Sequence, residues 1–247
     1  MDENSPMDLA YNEKVHPFIE SYIGRNKALI SRMQGLKNLY FPLFEQQLDK
    51  YNLPLEFKYL SIVESAMNPK AKSHSGATGL WQFMYLTGKQ YGLNVTSYMD
   101  ERQDPYKATE AACVYFEKLY DTFGDWNLVL AAYNGGPGYL QKKINTVGSK
   151  DFWVLHPHLR RETRNYIPTF IAVNYAMNYA VEHGISIEEP KINISNTDTI
   201  TLKKQVESVV KQCHQVLYSN GSIVGIKAMN DIARILVLKF LESQFQD

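Results

Sequence analysis

The sequence predicts a mainly α-helical protein. Three observations carry that prediction. Apolar residues recur at helical spacing through most of the chain. The clearest of these runs open on an aspartate, at Asp104-Pro105 and at Asp125. Glycines close them, at Gly135-Gly136 and at Gly184. The chain has 247 residues, which fits one domain with an appendage or two small domains and suffices for a sizeable core.

The elements follow in order. Residues 8–24 and 27–51 are predicted as helices, broken or kinked at Pro17 and Pro42. Asn52-Leu53-Pro54 stops the second and starts a third, with Pro54 suited to a first turn. In that helix Leu55, Tyr59, Ile62, Val63 and Ala66 are expected to share a buried face. Residues 67–81, rich in Gly, Ser, Lys and Ala, are predicted as a flexible polar loop. Asp104-Pro105 opens a helix that should bury Ala108, Ala111, Ala112, Tyr115 and Leu119. Asp125 caps one running to Tyr133, ended by Gly135-Gly136-Pro137-Gly138 as helix-stop and turn residues. A long helix is expected at about 160–183. Residues 1–10 are expected to be a tail, 11–185 the main domain, 186–201 a linker and 202–247 a helical extension without an assigned role.

Composition excludes several classes. Hydrophobic residues at 45% and charged residues at 21%, with no net charge, exclude general disorder. Twenty-six basic residues balance twenty-six acidic ones, so no basic excess points to nucleic acid. Two cysteines, Cys113 and Cys213, cannot make a disulfide framework, and Cys113 is expected as a buried thiol. No His or Cys set has metal-ligand spacing, so neither a metal nor an organic cofactor is expected. No apolar run is long enough for a membrane span. The first residues, Met1-Asp2-Glu3-Asn4-Ser5-Pro6, lack the basic and apolar parts of an export leader. The protein is then either intracellular or exported with its leader removed. Seventeen Tyr, eleven Phe and three Trp suit sugar rings, but rings also fill cores.

The chemistry concentrates at Glu64. It stands in the last turn of an apolar helix, where the helix dipole disfavours a carboxylate. Apolar neighbours such as Leu60 and Val63 add desolvation. Both effects raise the pKa and would leave Glu64 protonated near neutral pH, as a general acid requires. The plain alternative is a glutamate exposed at a frayed helix end.

Four motifs occur in order: Glu64-Ser65; Gly79-Leu80-Trp81-Gln82; Ala132-Tyr133-Asn134 with Gly135-Gly136-Pro137-Gly138; and Glu162-Thr163-Arg164-Asn165-Tyr166 with Ile167-Pro168. Through them the chain resembles the soluble lytic transglycosylase family, most nearly its membrane-bound D type, over roughly residues 11–185. The resemblance implies a lysozyme-like, goose-type helical domain with helical extensions at both ends. It implies that Glu64 is the catalytic acid and base. It implies that Ser73 contacts substrate or orients that glutamate, and that Gln82 and Met84 line the sugar groove. Tyr133 and Asn134 would face the same cleft, and Tyr166 would hydrogen-bond the catalytic carboxylate. Glu162 is expected to be structural, pairing with Arg160 or Arg161 or capping. Two departures are Trp81, where methionine is frequent, and Tyr85, where proline is.

The implied activity is cleavage of peptidoglycan between N-acetylmuramic acid and N-acetylglucosamine, with formation of a 1,6-anhydro ring. A hydrolytic muramidase on the same fold and a non-catalytic wall-binding protein are the alternatives. Asp100, Glu101, Asp104 and Asp125 could supply a second carboxylate, but none falls on a family motif, and capping or surface roles account for them. Trp81, Phe83, Met84 and Tyr133 are expected to wall the cleft. The implied partner is the glycan strand. A monomer in the periplasm or outer envelope is expected, with peripheral or lipid-anchored association, a placement that rests on the substrate alone.

Overall fold

In a computed structural model, residues 5–188 are described, and all lie in one compact unit. The expected linker and C-terminal helices, with Cys213, fall outside them, apart from residues 186–188. Among the described residues there are nine α-helices: α1 His16–Ile23, α2 Lys27–Lys50, α3 Leu60–Ser65, α4 Tyr85–Gln90, α5 Pro105–Phe123, α6 Trp126–Gly135, α7 Pro137–Val147, α8 Phe152–Leu155 and α9 Arg161–Asn178. Strand pairing among these residues is limited to isolated antiparallel bridges. The mainly α prediction holds.

The aspartate caps form as read. Asp104 accepts from the backbone N–H of Tyr106 and Lys107, and Pro105 begins α5. Asp125 accepts from Leu128 N–H to start α6. Each cap satisfies donors that the first turn leaves without an intrahelical partner. α9 is the centre of the fold and packs against α1, α2, α3 and α6. Its residues from Ile167 to Met177 are almost all buried, as a helix enclosed by others must be.

Several elements differ from expectation. The first helix begins at His16, not residue 8. Pro17 lacks an N–H and is tolerated only in a first turn, so it sets the start rather than a kink. The preceding stretch still packs, with Met7 and Leu9 buried. Pro42 lies within α2 without ending it. After Pro54 the chain takes a 3-10 turn, Leu55–Tyr59, before α3. Three residues per turn rotate the apolar face, so Leu55 is exposed and Phe57 is fully buried in its stead. α4 and α7 were not foreseen, and Gly138 lies inside α7.

The aromatic excess goes mostly into the core. Phe57 meets Phe116 at 4.4 Å between ring centroids, and Trp81 lies between Phe44 and Phe116. Such pairs contribute about 0.5–1.5 kcal/mol each beyond simple burial. Cys113 is buried in α5, and desolvation pushes its thiol up to about 12.

Candidate active site

Glu64 occupies the last turn of α3. The helix ends abruptly: Ala66 and Met67 are both left-handed, at φ +50° and +53°. Non-glycine residues seldom adopt this conformation, and such strain persists only where the surroundings enforce it. Here the Ser65 hydroxyl lies 3.0 Å from the carbonyl oxygens of both Ser61 and Leu80, tying the helix end to the following loop.

α9 supplies the partner of the carboxyl group. The buried Tyr166 hydroxyl donates to Glu64 Oε1. Burial raises the Glu64 pKa to about 7, against the lowering effect of the Tyr166 bond and with a smaller rise from the Glu162 charge. Glu64 therefore keeps its proton up to about neutral pH, as its apolar neighbours suggested. Tyr166 and Tyr133 are pushed well above the usual phenol range, first by burial and then by the Glu64 charge, so both remain neutral phenols.

Tyr133, in α6, donates its hydroxyl to the Trp81 carbonyl at 2.6 Å. Asn134 Oδ1 accepts from Thr163 at 3.0 Å, joining α6 to α9. Gly135 allows that approach, because a Cβ there would lie 3.0 Å from Thr163 Oγ1.

The loop after α3 is tied together by its own backbone hydrogen bonds. Ser73 N–H donates to Ala77, Gly79 N–H to Ala71, and Thr78 and Phe83 exchange both backbone bonds. Gln82, at φ +49°, donates its side-chain amide to the carbonyls of Gly79 and Ala71. Met84 is exposed beside it. The Ser73 hydroxyl is engaged within the loop, with Ser75 and Ala77 N–H, and makes no bond to Glu64.

Two expected cleft walls are core residues. Trp81 is fully buried and donates its indole N–H to Thr109 at 2.9 Å. Phe83 is 2% exposed. The turn at Gly79-Leu80 folds both rings inward, which leaves Met84 and Tyr133 of the four predicted walls reachable. The departure at Tyr85 also fits locally, since it is the first residue of α4, where a proline is equally at home.

Glu162 is exposed in the first turn of α9 and forms no ion pair among the described residues. Its charge nevertheless reaches Glu64. The other carboxylates are occupied elsewhere: Asp104 and Asp125 cap helices, Asp100 pairs with Arg102 and Glu101 with Lys107. Thr163 and Ser65 stand inside two of the four motifs, but their tethering role was not readable, because both act through hydrogen bonds between elements distant in sequence. A cavity of about 720 Å³ lined by Leu55, Tyr120 and Trp126 holds none of the candidate residues.

A helical, lysozyme-like domain with one shielded glutamate held by a tyrosine is the class that fold and site define. Residues 42–156 match the transglycosylase SLT domain, and the chain belongs to that family. It is similar to membrane-bound lytic murein transglycosylase D of Escherichia coli K12, with 34% identity over 186 residues, 73% of this chain and 40% of that protein. It is also similar to the soluble lytic murein transglycosylase of the same organism, with 29% identity over 148 residues, 57% of this chain and 23% of the relative. The chain thus spans less than half the length of these relatives. The crystal structure of the 70-kDa soluble lytic transglycosylase of E. coli matches the fold with a TM-score of 0.51 and 23% identity, covering 70% of this chain and 32% of that one. No described helix is long and apolar enough to cross a membrane.

Proposed function

We propose that this chain is a peptidoglycan lytic transglycosylase that breaks the β-1,4 bond between N-acetylmuramic acid and N-acetylglucosamine. The observation that carries the reading is the state of Glu64: a carboxyl raised to about 7 and held by the Tyr166 hydroxyl, inside a domain of the SLT family. A carboxyl in that range can both give and take a proton near neutrality.

In the first step Glu64 protonates the glycosidic oxygen as the bond to the anomeric carbon breaks, and N-acetylglucosamine leaves with its hydroxyl restored. The 2-acetamido group of the muramic sugar assists departure, so no second protein carboxylate is required. In the second step the sugar's own 6-hydroxyl attacks the anomeric carbon, and its proton goes to Glu64. A 1,6-anhydro ring forms, no water is consumed, and the enzyme returns to its starting state. The 6-hydroxyl competes well because it is tethered to the reacting sugar.

Tyr133, which feels the Glu64 charge, would position the sugars together with Met84 and Asn134. Gln82 would contribute through its amide oxygen, its nitrogen being committed to the loop. Ser73 would act on substrate if at all, since its hydroxyl is not on Glu64. All these residues come from one chain, so a monomer suffices. A cell-envelope location, with peripheral or lipid-anchored association, follows from where the glycan lies.

Digestion of purified sacculi in water enriched in heavy oxygen tests the mechanism. The expected products are unlabelled 1,6-anhydro muropeptides. Heavy oxygen at the anomeric carbon of most products would replace the reading with a hydrolytic muramidase. Glycan binding without any product would leave a wall-binding protein.

A further inference from the structure

Arg102 is 6% exposed and sits beneath the loop that carries Gln82. Its Nε and one terminal nitrogen meet the two oxygens of Asp100, at 2.9 and 2.7 Å. Its other terminal nitrogen donates to the carbonyls of Phe83 and Gly76, at 3.0 and 3.1 Å. A planar fork is the side chain that can grip a carboxylate and two carbonyls together; an ammonium group cannot span all four acceptors. The loop is also seated on the Arg102 backbone. Gly79 passes so close that a Cβ there would stand 1.8 Å from the Arg102 carbonyl oxygen.

The two gripped carbonyls flank the segment that matters. Gly76 and Phe83 bracket Gln82, and Met84 follows directly. Within the same bracket, the Leu80 carbonyl meets the hydroxyl of Ser65, next to Glu64. We propose that Arg102, oriented by Asp100, is a positioning residue that fixes the 76–83 loop, and with it Gln82 and Met84, relative to Glu64. The effect on turnover rests on the function proposed above; the restraint on the loop does not.

Two variants test this, Arg102→Lys and Asp100→Asn, each with kinetics on purified glycan strands and limited trypsin digestion. Lys70 and Lys72 are exposed just before the 76–83 loop, which Gly79 and Gln82 bond to the Ala71 carbonyl between the two lysines, and serve as cleavage reporters. Arg102→Lys should raise KM for glycan about tenfold or more, since small displacements of positioning groups carry large penalties. The pH midpoint of the rate should stay in place. Trypsin should cut after Lys70 or Lys72 faster than in the unchanged protein, while thermal unfolding stays cooperative and above the assay temperature. Asp100→Asn should act in the same direction and less, and it decides the question if Arg102→Lys does not fold. Unchanged KM and unchanged cleavage in a folded variant would overturn the proposal. So would a displaced pH midpoint with normal cleavage, which would place the action on Glu64 itself. If the unchanged protein turns over no glycan, the proposed function fails while the trypsin result still judges the loop restraint.

Discussion

The Tyr166 hydroxyl reaches Glu64 Oε1 from a position 102 residues further along the chain. It stabilises the charged carboxylate and so lowers a pKa that burial raises. Removing it in Tyr166→Phe should move the alkaline limb of the rate profile to higher pH, because the acid then holds its proton longer. The maximal rate should fall about 10–150-fold, the equivalent of one charge-assisted hydrogen bond in the transition state. A rate–pH profile of both proteins checks the two effects together. An unmoved limb would make Tyr166 a packing residue.

Glu64→Gln should remove turnover by a factor of about 10²–10⁴ or more, since one group serves as acid and then base. The same change should stabilise the fold at alkaline pH. The Glu64 pKa lies above its unfolded value, so its contribution to stability is complete below about 4.5 and lost as pH rises through about 7. The amide has no such loss. At pH 8 the variant should gain on the order of 2–3 kcal/mol relative to the parent, and near pH 4 the gain should vanish. Thermal melts at the two pH values measure it.

Glu162 raises the Glu64 pKa by like charge. Glu162→Gln should therefore shift the alkaline limb to lower pH, opposite to Tyr166→Phe. Because Glu162 is exposed, added salt should shrink the shift. A loss of rate as large as that in Glu64→Gln would mark Glu162 as a second reacting carboxylate and weaken the single-glutamate mechanism.

Gly79 and Gly136 share almost the same backbone angle, φ +90° and +89°. Only the first is crowded: nothing lies within 4 Å of a Cβ built at Gly136. Gly136→Ala should cost about 1–3 kcal/mol of backbone strain, because φ +89° with ψ +137° is a conformation that glycine alone adopts readily. Gly79→Ala must also displace the Arg102 backbone and should cost at least twice as much. Denaturant unfolding of the pair compares them directly.

What the sequence made legible was local. Asp104-Pro105 and Asp125 signal their helices within a few residues, and both caps are present. The direction of the Glu64 shift was also readable, from its apolar neighbours, since burial is the largest cause of it. What failed depended on distance or on a change of period. Leu55 was misplaced because a 3-10 turn replaced the helical one. Trp81 and Phe83 were placed at the cleft because the inward fold of their loop is fixed by partners beyond it, Thr109 and Arg102. The grip of Arg102 on two carbonyls left no trace, since backbone oxygens look alike at every position. The family motifs supplied Tyr166, which periodicity alone would have left as one more buried ring.

The sequestered thiol of Cys113 gives this fold a built-in clock. Held in α5 and pushed up to about 12, it offers almost no thiolate while the helix is packed, and a thiolate is what alkylating reagents attack. Modification at Cys113 can then occur only during excursions that open α5 from its neighbours. With excess reagent, the rate at which mass appears on its peptide counts those openings and needs no denaturant. Bound glycan that steadied the domain would slow the count, so occupancy of the site and breathing of the core could be followed through the same sulfur.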